Sequence, residues 1–138
     1  MREILFRGKN LNFEDEWLYG SLVDLDRESG YVYIIPPHKG ASTLSPWELM
    51  RLKGRLVIPE TVGQWTGLED KNGVKIFEGD IVKCCGEYRS VVYNSRLLCF
   101  EFWEKDMVEN PDGLELCADY ELCEVIGNIY DNPELLKR

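Results

Sequence analysis

The sequence predicts a mainly β protein: a β-rich N-terminal subdomain over residues 1–60 that holds one short helix, then an SH3-like small β-barrel over residues 61–138. Two observations carry that expectation. β-Branched and aromatic residues fall in short runs separated by Gly, Pro, Asn and Asp, the pattern of short antiparallel strands. Only one segment, near residue 46, switches to helical signals. A chain of 138 residues, 44% hydrophobic and 30% charged, can also bury a core without a disulfide framework or a structural metal.

The elements follow in order. Glu3 to Arg7 reads as a first strand. Trp17 to Leu25 and Gly30 to Ile35 flank the polar stretch Asp26-Arg27-Glu28-Ser29 and read as a hairpin, which Pro36-Pro37 ends. Ser45-Pro46-Trp47-Glu48 combines a capping hydroxyl, proline at the first helical position and glutamate three residues after the cap. Gly54 offers a left-handed stop, so a helix is expected over about 46–53, with Trp47, Leu49, Met50 and Leu52 covering one end of a sheet. Leu56-Val57-Ile58 resumes the extended form, and the junction between the halves is placed near residues 59–63.

The second half is a denser meander. Gln64 to Leu68 and Val74 to Phe77 are joined by Asp70-Lys71-Asn72-Gly73, in which Asn-Gly supplies the positive φ of a tight hairpin. At Glu78-Gly79-Asp80, glycine can turn left-handed and the aspartate can bind nearby backbone donors. Ile81 to Cys85, Tyr88 to Tyr93 and Leu97 to Trp103 continue the series, the last apolar on both faces and so expected to be central. An acidic excursion from Glu104 to Glu115 precedes a final strand near Glu124 to Tyr130 and a helical turn begun by Asn132-Pro133-Glu134. Short antiparallel strands with small turns fit a closed barrel better than an open sheet, because closure hides the edges.

Charge narrows the partners. Twenty-five acids against sixteen bases give a net charge of −9. Residues 1–60 are nearly balanced, with nine acids and eight bases, whereas Cys99 to Glu134 holds eleven acids and one base, Lys105. Such a field repels phosphate backbones, which makes nucleic acid an unexpected partner. The exception to weigh is Arg51, Lys53 and Arg55, a basic cluster that could meet phosphates or simply be a solvated face. The five cysteines, at 84, 85, 99, 117 and 123, show no zinc spacing and are expected to be reduced and buried as small hydrophobes.

No catalytic residue, cofactor or metal site is expected. Aligning Gly73 with the sixth position of a calcium loop puts Leu68 and Gly79 where carboxylates are required. His38 sits in a polar loop with no neighbouring nucleophile. Trp17, Tyr19, Tyr31 and Tyr33 recur at spacing two, so each pair shares a strand face that is read as core in preference to an exposed stacking platform. The amino terminus lacks the apolar stretch and cleavage site of a signal peptide, and no run is long enough to span a bilayer, so a cytoplasmic location is expected.

The segment Thr61-Val62-Gly63-Gln64-Trp65-Thr66-Gly67-Leu68-Glu69-Asp70-Lys71-Asn72-Gly73-Val74-Lys75-Ile76-Phe77-Glu78-Gly79-Asp80-Ile81-Val82 closely resembles the signature of YopX-like proteins of phages and prophages. The opening Arg2-Glu3-Ile4-Leu5-Phe6-Arg7 and the closing run from Glu124 to Leu136 sit where that family has them. The resemblance implies a β-rich protein with an SH3-like barrel in its second half, encoded by a mobile element and acting inside a bacterial host. It implies no activity. The signature has a sufficient structural explanation in turn chemistry and core residues, Trp65, Leu68, Ile76, Phe77, Ile81 and Val82, with Gly127 allowing a close backbone approach.

The expected function is therefore a non-enzymatic binding or assembly module that works through contacts with a phage or host protein or with copies of itself. A second reading makes the acidic stretch a nucleic-acid mimic directed at a host DNA-binding or defence protein. The third is a nucleic-acid-binding small barrel. The candidate binding surface across these readings comprises Arg51, Lys53, Arg55, Asp70, Asn72, Glu104, Asp106, Glu109 and Asp112.

Overall fold

The computed structural model describes residues 2–26, 28–84, 86–96, 98–103 and 120–136. It is mainly β, with one α-helix, and divides into two units, Met1–Gln64 and Trp65–Arg138.

In the first unit, β1 (Phe6–Lys9), β2 (Trp17–Val23), β3 (Val32–Ile35) and β4 (Arg55–Val57) are antiparallel neighbours in the order β4-β3-β2-β1. The expected hairpin forms, with Ser21 opposite Ile35 and Val23 opposite Tyr33. Strand alternation sends Leu18, Ile34 and Val57 into a small core, against which Phe6, Leu22, Val32 and Val62 pack. Gly8 permits that closeness, since a Cβ there would lie 3.0 Å from Val57 Cβ.

This sheet also curls back on itself. Asn10, just past β1, bridges Val57 of β4, with Leu11 N–H donating to Leu56 O at 2.9 Å and Ile58 N–H to Lys9 O at 2.8 Å. The edge of a very short strand is thereby satisfied. A 3₁₀ turn, Pro59–Thr61, then interrupts the pairing along β1. The Thr61 hydroxyl repairs the gap, accepting Lys9 N–H at 2.9 Å and donating to Ile58 O at 2.6 Å. Pairing resumes where Gly63 and Gln64, the first residues of β5 (Gly63–Glu69), face Arg7 and Phe6.

Each aromatic pair has one exposed member, while Trp17 and Tyr33 are half-buried. Tyr19 and Tyr31 are 43% and 57% exposed. On β2 the buried positions are Leu18 and Gly20, so Trp17 and Tyr19 point to the other face, where the Arg7 guanidinium carbon lies 4.8 Å from the Trp17 ring centre.

In the second unit, the rest of β5 pairs with β6 (Lys75–Phe77), while β7 (Asp80–Cys84), β8 (Glu87–Asn94), β9 (Cys99–Trp103) and β10 (Cys123–Asn128) form a sheet in the order β10-β7-β8-β9. The turns are those expected, with Gly73 at φ 79° and Gly79 at φ 91°. Ile76, Val82, Cys84, Val91, Phe102 and Cys123 form the core, with Leu68, Phe100 and Val125 packed on it. Gly127 makes room for a side chain and not for the backbone approach expected, because a Cβ there would lie 2.5 Å from Asn132 Oδ1.

Two expectations bear on the described residues only, and a third needs correction. β9 was expected to be central; among the described residues it ends the sheet order, and β7 and β8 take the interior places. Its second face is occupied by Glu101, buried to 8% exposure, with Oε1 accepting from Asn94 Nδ2 at 3.0 Å. Closure of this unit into a barrel is not seen, since no ladder joins β9 to β10 among the described residues. Finally, Cys84 and Cys123 are not reduced. They form a disulfide between directly opposed residues of β7 and β10, 39 positions apart in sequence. Only pairing in space, which residue spacing does not encode, brings them together.

Candidate functional site: an apolar groove beside the helix

Helix α1 (Pro46–Lys53) starts as its sequence dictates. Ser45 Oγ accepts from Glu48 N–H at 3.2 Å, and Glu48 Oε2 accepts from Ser45 N–H at 3.0 Å, closing a capping box in front of Pro46. Its stop differs from expectation. Gly54 is extended, at φ −63° and ψ 137°, with its N–H donating to Met50 O at 2.9 Å. Glycine is needed there because a Cβ would collide with the Met50 carbonyl.

No residue of α1 is buried, although the helix was expected to cover the sheet. Trp47 is 69% exposed and Leu52 is 53% exposed. The reason is angular. At about 100° per residue, Trp47 and Leu49 lie ~200° apart around the axis, so one short helix cannot turn both to the same sheet. That arithmetic was available in the sequence and was the signal for an exposed apolar side.

The consequence is a groove of about 580 Å³ on the first unit, lined by Val23, Leu25, Ile35, Leu44, Trp47 and Met50 among others, with Ser21 and Ser45 as its hydroxyls. Leu25 is itself 67% exposed. A second recess of about 590 Å³ shares Trp47 and Met50 and adds Tyr33, Glu48 and Arg51. Trp47 therefore stands between two concave surfaces, one of them edged by a guanidinium.

The basic cluster adjoins this surface. Arg51 and Lys53 occupy the last turn of α1, where positive charge also complements the helix dipole, and both are exposed. Neither has a carboxylate partner among the described residues. Arg55 opens β4 and turns its guanidinium back to Gly54 O at 3.0 Å and Leu52 O at 3.5 Å.

The remaining candidates lie elsewhere. Asp70 is buried in the second unit and its carboxylate is fully engaged: Oδ1 accepts from Asn72 N–H at 2.8 Å and Val74 N–H at 2.9 Å, and Oδ2 from Val125 N–H at 2.9 Å. It organises the hairpin and ties it to β10, which removes it from any binding surface. Asn72 is exposed at the tip of that turn. Glu104, Asp106, Glu109 and Asp112 lie outside the described residues. Among the described residues no three His, Cys, Asp or Glu side chains gather as metal ligands. His38 and Glu3 both line a shallow recess of about 250 Å³, with no hydrogen bond or ion pair between them. No described helix is long and apolar enough to cross a membrane.

A pair of antiparallel β units, with one surface helix flanked by apolar grooves, is the class of protein defined by this architecture. The YopX protein family matches residues 5–137, and the chain belongs to it. A solved structure, protein EF1440 from Enterococcus faecalis, superposes with a TM-score of 0.53 at 24% sequence identity, covering 99% of this chain and 100% of that one. That likeness concerns the fold. Curated proteins offer no match.

Proposed function

We propose that the chain is a non-enzymatic binding module of a phage or prophage, acting in the bacterial cytoplasm, that captures an acidic amphipathic segment of a partner protein in the groove beside α1. The observation that carries this reading is Trp47, held 69% exposed between two recesses on a well-capped helix. Covering an exposed tryptophan is worth roughly 3 kcal/mol at ~25 cal/mol per Å², and Trp is among the commonest interface anchors. Arg51 and Lys53, lacking carboxylate partners beside that anchor, favour an acidic flank on the occupant. A nucleic acid could stack a base on Trp47 but would leave Leu25 and Met50 without an apolar counterpart.

The test uses two synthetic amphipathic peptides with the same leucine face, one with a glutamate and one with a lysine polar face. The glutamate peptide should bind with chemical-shift changes confined to the groove, and Trp47→Ala should weaken it about thirtyfold. Binding of both peptides regardless of Trp47, or light scattering that shows the groove already closed by self-association, would overturn the assignment.

A further inference from the structure

We propose that Cys84 and Cys123 form a reversible two-electron couple that clamps β10 when oxidised and frees its first turn of chain when reduced. This inference is independent of the groove.

Three features support it. First, the two residues are directly opposed on β7 and β10 with their Cα atoms 4.5 Å apart, the spacing of a non-hydrogen-bonded antiparallel pair. The ladder continues through Glu124 opposite Lys83 and Val125 opposite Val82. Register is thus specified on either side of the sulfurs, and cleavage leaves two thiols facing each other, ready to re-form the bond.

Second, the start of β10 is tied by contacts separate from those that fix its far end, among them the Lys71–Glu124 ion pair at 3.6 Å. Lys71 N–H donates to Cys123 O at 3.1 Å, and Asp70 Oδ2 accepts Val125 N–H at 2.9 Å. The far end is fixed separately, by Ile129 N–H donating to Gly79 O at 2.9 Å and by the Asn132 side chain accepting Asn128 N–H at 3.3 Å. Cleaving the disulfide removes the covalent cross-link at this end of the strand and leaves the far end with its own anchors. The register shift between Val125 and Gly127 marks the natural hinge between them.

Third, access is gated. Cys84 is 2% and Cys123 0% exposed, so a reagent reaches sulfur only when this end of β10 opens. The chemistry balances as thiol–disulfide exchange. The thiolate of one cysteine attacks a low-molecular-weight disulfide, such as glutathione disulfide, and expels one small thiol. The second cysteine then displaces the other, so that two cysteine thiols become one disulfide while the small disulfide is reduced to two thiols. An excess of small dithiol runs the reaction backwards.

The experiment equilibrates the full chain in glutathione buffers of graded poise, quantifies the Cys84–Cys123 cross-link by peptide mapping, and measures amide exchange in each state. A reversible two-electron titration is expected, with exchange at Cys123 to Val125 rising about tenfold or more on reduction while β8 stays protected. Cys84→Ser and Cys123→Ser should each reproduce the reduced pattern in every buffer. Failure to form the cross-link at any poise would sink the proposal. So would equal exchange in both states, or loss of protection throughout the second unit on reduction.

Discussion

The two units solve the same problem with different means. The second surrounds a core that includes Ile76, Val82, Val91 and Phe102 with buried carboxylates and a disulfide. Asp70 and Asp80 are 6% and 1% exposed, and each spends its charge on backbone N–H groups, Asp80 Oδ2 on Phe77 N–H at 2.7 Å. The first relies on a smaller core of Leu18, Ile34 and Val57 and leaves Trp47, Leu25, Leu52 and Tyr31 facing outward. One unit is rich in internal ties and the other in uncommitted apolar surface. The comparison teaches where binding is to be sought: in the unit whose hydrophobic side chains are not already used.

That contrast can be broken most forcefully in the second core. Phe102→Ala removes a side chain that is 1% exposed and should cost about 4 kcal/mol, read as lost amide protection along β7 and β8. A loss below 1 kcal/mol would mean that this core is no tighter than the first. Asp70→Asn should cost about 3 kcal/mol, because the amide keeps one acceptor oxygen and presents N–H groups where backbone donors already point. The faster exchange should centre on Val74 and Val125, which separates loss of this carboxylate from general loosening. In the first unit, Ser45→Ala should cost about 1 kcal/mol by opening the capping box. Its circular-dichroism signature is small, so exchange at Glu48 N–H is the measurement of choice. If α1 melts outright, the groove depends on this cap; if exchange is unchanged, packing against β3 holds the helix without it.

Legibility in the sequence followed the range of the interactions. The capping box and Pro46 are settled within four residues, and the helix starts where those residues put it, whereas its stop uses an extended Gly54 in place of the left-handed one expected. Asn72-Gly73 and Gly79-Asp80 were readable for the same reason, since positive φ at glycine and an aspartate reaching a nearby N–H are local events. Asp70 shows the limit. Its bonds to Asn72 and Val74 lie inside the turn, but the bond to Val125 spans 55 positions, and it was that bond which turned an expected surface residue into a buried tie. Tyr19 was misassigned because period-two spacing shows that two side chains share a face without saying which face is inward. Groove residues such as Val23, Leu44 and Trp47 come from a strand end, a loop and a helix, so no single motif could list them.

What the sequence by itself determined is the alphabet of the fold: short strands, tight glycine turns, one capped helix, and the family signature from Thr61 to Val82. Tertiary structure alone decided that β9 ends its sheet among the described residues, that the first unit curls back through Asn10 and Val57, and that Cys84 meets Cys123. The physical reason is that turns and caps are fixed by bonds between near neighbours, whereas strand order, inward faces and sulfur pairing depend on which distant segments bury each other, a choice made by the whole chain at once.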